Sequence, residues 1–293
     1  MSLLDFRYVE DEFTREEALA ILKENEASRN TRIQELEEKG YPAYSTATGW
    51  SGYSEDTVRK LVKELKEKGL NRFKVKVGLG LERDYERCKL IRECIGPDAT
   101  MMMDANQVWS VEEAIQTMKK LADFKPLWIE EPTSPDDVIG HKKIKDAIAP
   151  LGIGVATGEH AQNRILHKHF LKMGAYTFCQ PDPCRLGGLN ELLLVILMAK
   201  KFNTPVCMHS GGVGLCEMGL HATVFDYIGI SASLENRMFE HSGALHEHFF
   251  HPIELKAGRY VLPKGLGYTI DMKPESISQF TFPHGGYWGS KRT

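Results

Sequence analysis

The sequence predicts an α/β chain folded as a (β/α)8 barrel of the TIM type, and three observations lead there. Short apolar segments alternate with amphipathic ones over about 190 residues, the span of an ordinary barrel. The alternation yields eight strand-like segments. No linker or low-complexity stretch interrupts it. Strands joined by helical crossovers pair in parallel. An open doubly wound sheet is the alternative, and the count of eight favours the closed barrel.

The elements follow in order. Residues 14–39 are charged with sparse apolar positions and stop at Gly40, which predicts a partly exposed helical segment. The first strand is expected over 41–48. A helix follows over 54–69, with Ser54 as N-cap and Gly69 as its stop. Strand 72–78, helix 82–96 and strand 99–106 come next. Helix 110–124 opens on Ser110 and Glu113, spaced as a capping box. Strand 126–132, helix 134–149, strand 152–159, helix 163–174, strand 175–182, helix 188–203, strand 204–210 and helix 214–225 continue the rhythm. The eighth strand is expected over 227–233, "YIGISAS". The expected organisation is a helical segment over 1–40 and a barrel domain over 41–293. The tail "FPHGGYWGSKRT" reads as a loosely ordered end.

Composition narrows the function. The chain has 293 residues, 42% hydrophobic and 26% charged, enough for a sizeable core. A net charge of -3 argues against nucleic acid or an anionic membrane as partner. The six cysteines show no CxxC spacing, so buried reduced thiols are expected rather than a zinc or redox site. No apolar run approaches the ~20 residues of a membrane helix. The acidic start "MSLLDFRYVEDEF" resembles neither a signal nor a transit peptide. As written the chain reads as cytoplasmic, or as mitochondrial if a targeting segment has been removed.

The stretch "MMMDANQVW" (101–109) runs a buried-looking strand straight into a carboxylate. In a barrel the C-terminal strand ends form the active-site face. Other strands also end on polar groups. The second carries Lys74 and Lys76, two apart and so on one face. The third ends at Asp104 and Asn106, the fourth at Glu130 and Glu131, the fifth at Glu159 and His160. The sixth ends at Asp182 and the seventh at His209, with Glu235 and Glu240 after the eighth. Any one alone reads as a loop acid, a helix cap or a snorkelling lysine. Together they predict a site.

Three carboxylates from consecutive strands, Asp104, Glu130 and Glu159, repel one another unless a cation lies between them. An all-oxygen set suits Mg²⁺, or Mn²⁺, and disfavours zinc. Lys76, near that cation and a second lysine, is expected to have a depressed pKa and serve as general base. His209 is expected to be oriented by Asp182. A metal flanked by Lys and His suits removal of a proton next to a carboxylate.

The motifs "KVK" (74–76), "MDAN" (103–106), "WIEEP" (128–132), "TGE" (157–159), "QPD" (180–182) and "HSGGVG" (209–214) together resemble the enolase superfamily, in its mandelate-racemase-like acid-sugar branch. Such sites are known to pair a Lys or His base with Mg²⁺. Longer matches, including "MMMDANQ", "PLWIEEPTSPDD", "SASLENR" and "LHEHF", resemble the L-fuconate dehydratases within it, from about residue 5 to about 280. The resemblance implies Mg²⁺ on Asp104, Glu130 and Glu159. It implies Lys76 as the base at C2, Lys74 on the substrate carboxylate, and His209 backed by Asp182 as the acid at the C3 hydroxyl. Asn106 is a further substrate-side candidate. Glu240 matches the glutamate after the eighth strand, with Glu235 as a rival. The implied reaction is loss of water from L-fuconate to give 2-dehydro-3-deoxy-L-fuconate.

Three departures stand out. The family carries a long N-terminal capping domain, which this chain is expected to lack. His160 stands where Gln is expected, and Met208 where Pro is expected before the histidine. Two other functions stay open: a racemase or epimerase on the same frame, and a cap-less barrel with a binding or regulatory role. The expected partner is a small acid sugar, with a homo-oligomer possible. "HSGGVGLCEMG" reads as a tight turn at a helix N-terminus, and the histidines of "LHEHFFH" as packing of a C-terminal segment.

Overall fold

In the computed structural model, which describes residues 2–264 and 267–289, six strands follow one another in chain order in a parallel ladder. They are β1 (Tyr41–Ser45), β2 (Arg72–Lys76), β3 (Thr100–Asp104), β4 (Trp128–Glu130), β5 (Gly154–Thr157) and β6 (Phe178–Cys179). Before β1 lie helices α1 (Arg15–Glu24) and α2 (Arg29–Lys39). The crossovers are α3 (Glu55–Glu67), α4 (Leu81–Ile95), α5 (Val111–Leu121), α6 (Val138–Ile148) and α7 (Arg164–Met173). Helix α3 forms as its pattern dictates: Ser54 accepts from the Thr57 N–H, and Val58, Val62 and Leu65 bury one stripe. Helix α5 opens on the expected Ser110–Glu113 capping box.

After β6 come α8 (Leu189–Lys201) and the seventh barrel segment, 204–210. This segment joins β6 through a bridge between Cys179 and Val206, with the Cys207 N–H donating to the Cys179 carbonyl at 2.9 Å. Helix α9 (Leu215–Phe225) follows.

The eighth strand departs from the expectation. Residues Asp226–Ser231 continue α9 as a π-helical turn, and the strand is β7 (Phe239–His241), in register with β1 through Ala43–Phe239, Tyr44–Glu240 and Ser45–His241. The β-branched residues of "YIGIS" suggest a strand, but tertiary contacts override them. The Ile228 carbonyl accepts from Arg32 Nε at 3.0 Å and the Ile230 carbonyl from Asn25 Nδ2 at 2.7 Å. The buried Asp226 holds Arg237 at 3.1 Å. The polar groups a ladder would use are thus taken by α2 and the turn before it.

Other differences are smaller. The expected helix over 14–39 is two helices. Helix α10 (Pro274–Phe280) precedes the tail, whose residues Gly286–Gly289 form a short helix α11, while 290–293 lie outside the described residues. A hairpin of β8 (Leu255–Lys256) and β9 (Arg259–Tyr260) pairs antiparallel with the start of β1. The cysteines are all free thiols, but Cys184 is exposed. Among the described residues no helix is long and apolar enough to cross a membrane.

Two-residue alternation along the strands explains the core and the site together. Phe73, Val75, Met101, Met103, Ile129 and Val155 face the helices in the main core. The opposite faces give Tyr44, Met102, Trp128, Ala156, Phe178, Cys207 and Met238, a separate apolar cluster inside the barrel. Two residues further along the same faces come Asp104, Glu130, Gln180, His209 and Glu240. The strand that runs "MMMD" therefore ends on an acid because its inward face crosses from apolar floor to polar layer.

Candidate active site

Lys74 lies at the centre of this layer. Its side chain is 1% exposed, and its Nζ bonds Glu130 Oε1, Glu240 Oε1 at 2.9 Å and Asp104 Oδ2 at 3.4 Å. Burial disfavours its charge, but the Glu130 and Glu240 carboxylates outweigh it and hold Lys74 well above the usual lysine range. One step up β2, Lys76 Nζ donates to Asp104 Oδ2 at 2.6 Å and lies 5.5 Å from the centre of the Trp50 ring. Burial would raise Asp104, yet Lys74 and Lys76 hold it at about 2.

Glu130 is gripped on its far side. Its Oε2 accepts from Gln180 Nε2 at 2.7 Å and Trp128 Nε1 at 3.2 Å. Burial pushes it up to about 8, against Lys74, and Asp104, Glu240 and Glu159 add to the rise. Across the layer, His209 Nδ1 meets Asp182 Oδ2 at 2.6 Å, and Nε2 lies 3.2 Å from Glu159 Oε2. Burial would lower His209, but Glu240, Asp182 and Glu159 raise it to about 9. Asp182 is lowered despite burial, by His209 and the Cys184 N–H. The Ser210 N–H fixes Glu240 Oε2 at 2.9 Å.

The structure thus brings Lys74, Lys76, Asp104, Glu130, Glu159, Asp182, His209 and Glu240 into one connected network. It does not bring in Glu235. That residue is exposed beside Lys200, Asn203 and Pro205, where the seventh segment begins. It precedes β7, whereas Glu240 lies within it, so the shifted eighth strand separates the two rivals. Asn106 is exposed, and its backbone N–H rather than its amide engages Asp104, at 2.9 Å.

Lys74 lies between two of the three nominated carboxylates, bonded to both Asp104 and Glu130. Among the described residues, the group of three His, Cys, Asp or Glu donors within 4.8 Å of one another is that of Glu131, Glu159 and His160. His160 Nδ1 meets Glu131 Oε1 at 2.5 Å, and Arg185 Nη1 meets Glu159 Oε1 at 2.9 Å. Sequence reasoning left out Gln180, Trp128, Arg185 and Gln107, whose Nε2 donates to Glu131 Oε1 at 3.0 Å. The signal for Gln180 was present, since it stands two residues before Asp182 on the same strand face.

Chemically the layer is an acid cluster short of positive charge. Asp104, Glu130, Glu159, Asp182 and Glu240 face Lys74, Lys76, His209 and Arg185, and Glu130 is raised by its burial first and by the neighbouring carboxylates second. Such carboxylate oxygens fit a hard divalent cation.

Gly49 ties the first loop to this layer. Its carbonyl accepts from the Lys76 N–H at 3.0 Å, and a Cβ there would lie 2.0 Å from the Lys74 carbonyl oxygen. Gly49→Ala is therefore expected to cost about 1–3 kcal/mol of stability and to displace the Trp50 loop. Thermal unfolding checks this, and an unchanged melting temperature would contradict the close approach.

The family described as "Enolase C-terminal domain-like" matches residues 57–276. The chain belongs to the enolase superfamily. This enolase-type domain is 52% identical over 288 residues to mitochondrial enolase superfamily member 1 of Homo sapiens, covering 98% of the chain and 65% of that protein. The crystal structure of that human protein superposes with a TM-score of 0.96 at 51% identity, over 99% of this chain and 66% of that one. L-galactonate dehydratase of Hypocrea jecorina is 50% identical over 283 residues, 96% of this chain and 62% of that protein. L-talarate/galactarate dehydratase from Salmonella typhimurium, solved with Mg and L-lyxarohydroxamate, superposes at a TM-score of 0.72 and 27% identity, over 88% and 64%. The chain spans somewhat under two thirds of the length of the curated relatives it matches.

Proposed function

We propose that this chain is the catalytic barrel of a Mg²⁺-dependent acid-sugar dehydratase. Its substrate is an acid of the L-galactonate type, with L-fuconate as the first candidate. The observation that carries this reading is that Lys76 and the His209–Asp182 pair both border the carboxylate layer, from different strands. Lys76 stands on the second strand and the His209–Asp182 pair on the seventh segment and at the end of the sixth. The dehydratase names of the Hypocrea and Salmonella relatives support it. L-fuconate is L-galactonate without the C6 hydroxyl, so both acids present the same C2 and C3 to the site.

Asp104, Glu130 and Glu159 would hold the metal. What bound Mg²⁺ supplies is positive charge against the substrate carboxylate, whose oxygens gain charge as C2 loses its proton. Lys76 Nζ, as the neutral amine, takes that proton and becomes the ammonium, and Lys74 helps to hold the carboxylate. The electron pair left at C2 forms the C2–C3 double bond as the C3–O bond breaks. His209 Nε2 gives its proton to the departing hydroxyl, which leaves as water. Asp182, bonded at Nδ1, keeps Nε2 turned to the site. The enol then becomes a 2-keto-3-deoxy acid.

The test is a 2-keto-acid assay on this chain with L-fuconate and L-galactonate, in Mg²⁺ and in EDTA. Metal-dependent product from either acid is expected, and the better substrate shows how the site treats C6. Interconversion of C2 epimers without a keto acid would make the protein an epimerase instead. Mg²⁺ is also expected to raise the melting temperature relative to EDTA, by relieving the crowded carboxylates. No shift at millimolar Mg²⁺ would count against a metal site here.

A further inference from the structure

The mechanism above leaves unused a buried amide against one of its carboxylates. Gln180 is 1% exposed, and its Nε2 lies 2.7 Å from Glu130 Oε2. Glu130 must be ionised to hold a cation, and an ionised carboxylate only accepts, so the amide presents its nitrogen there. That orientation leaves Gln180 Oε1 without a protein donor among the described residues. Trp128 Nε1 reaches the same Oε2 at 3.2 Å, from two residues back on the same inward face. Both donors therefore act on one oxygen of Glu130, while the other, Oε1, points to Lys74 and the centre of the layer.

From this geometry we infer that Gln180 is a positioning residue for the metal: with Trp128 it ties down Glu130 Oε2 and fixes Oε1 as the oxygen presented to the cation. The inference rests on the metal reading proposed above. The physical need is plain. A glutamate has three side-chain torsions, and neighbouring carboxylates repel Glu130 outward. Two N–H donors behind it hold the rotamer and offset part of its charge. Neither donor brings a positive charge that would compete with a cation. Partners placed behind a ligand in this way commonly set metal affinity.

The test is a double-mutant cycle read by calorimetric Mg²⁺ titration on the wild type, Gln180→Leu, Glu130→Gln and the double variant. Gln180→Leu is expected to weaken Mg²⁺ by at least about tenfold. In the Glu130→Gln background it is expected to add less than about twofold, because the residue acts through that carboxylate. Gln180→Asn, which keeps the amide but falls short of Glu130, is expected to lose affinity likewise and guards against a leucine variant that fails to fold. Wild-type affinity in a folded Gln180 variant, with Glu130→Gln weakened, would overturn this inference alone. So would a full additive loss in the double variant. A wild type that binds no Mg²⁺ would overturn the metal reading and this inference with it.

Discussion

Lys76→Ala is expected to lower turnover of the acid sugar by at least about 10²-fold, the scale of a lost general base, while Mg²⁺ affinity is kept or tightened. The two readouts separate because Lys76 has one firm partner in the layer, Asp104 Oδ2 at 2.6 Å. Removing the amine takes away the group facing C2 and frees an oxygen of a metal-side carboxylate. Steady-state kinetics at saturating Mg²⁺, beside calorimetric titration, measures both. Persistent full activity would remove Lys76 as the base. Lost Mg²⁺ binding would mean that Lys76 supports the site rather than acts in it.

Lys74→Met should act first on stability. Lys74 Nζ touches Glu130, Glu240 and Asp104, all buried. Deleting one partner of a buried ionic network leaves uncompensated charge, at a cost of about 3–5 kcal/mol. The expected result in EDTA is a marked drop in melting temperature. Mg²⁺ should restore more of it than it adds to the wild type, because a cation meets the same carboxylates. A variant that melts with the wild type in EDTA would contradict the picture of Lys74 as the layer's central positive charge.

Much of this arrangement was legible in the sequence because a barrel repeats a simple code. Apolar strands of period two, each ended by a polar residue, give both the barrel and the layer on its C-terminal face. Asp104, Glu130, Asp182 and His209 follow from that code directly. The eighth strand did not, because 227–233 has strand-like residues whose backbone groups are claimed by Arg32 and Asn25, about two hundred positions earlier. A local pattern carries no trace of such a contact. The error passed straight to the choice between Glu235 and Glu240, which depends on where that strand lies. Gln180 was passed over for another reason: a neutral amide beside an acid attracts no attention until its partner is seen. The surroundings of Lys74 are legible only in part. Its strand face was predicted, but three carboxylates converging on its ammonium belong to the folded chain alone.

In the reading proposed here, this barrel removes the proton at C2 of an acid sugar and expels the C3 hydroxyl. The most direct test uses L-galactonate or L-fuconate carrying deuterium at C2, incubated with the chain and Mg²⁺ and followed by NMR and mass spectrometry. The expected result is a 2-keto-3-deoxy acid, with the deuterium released to solvent and formation slowed by the label if proton removal limits the rate. A keto product carrying the deuterium in full at C3, as an internal hydride shift would give, would contradict removal of that proton to solvent by Lys76.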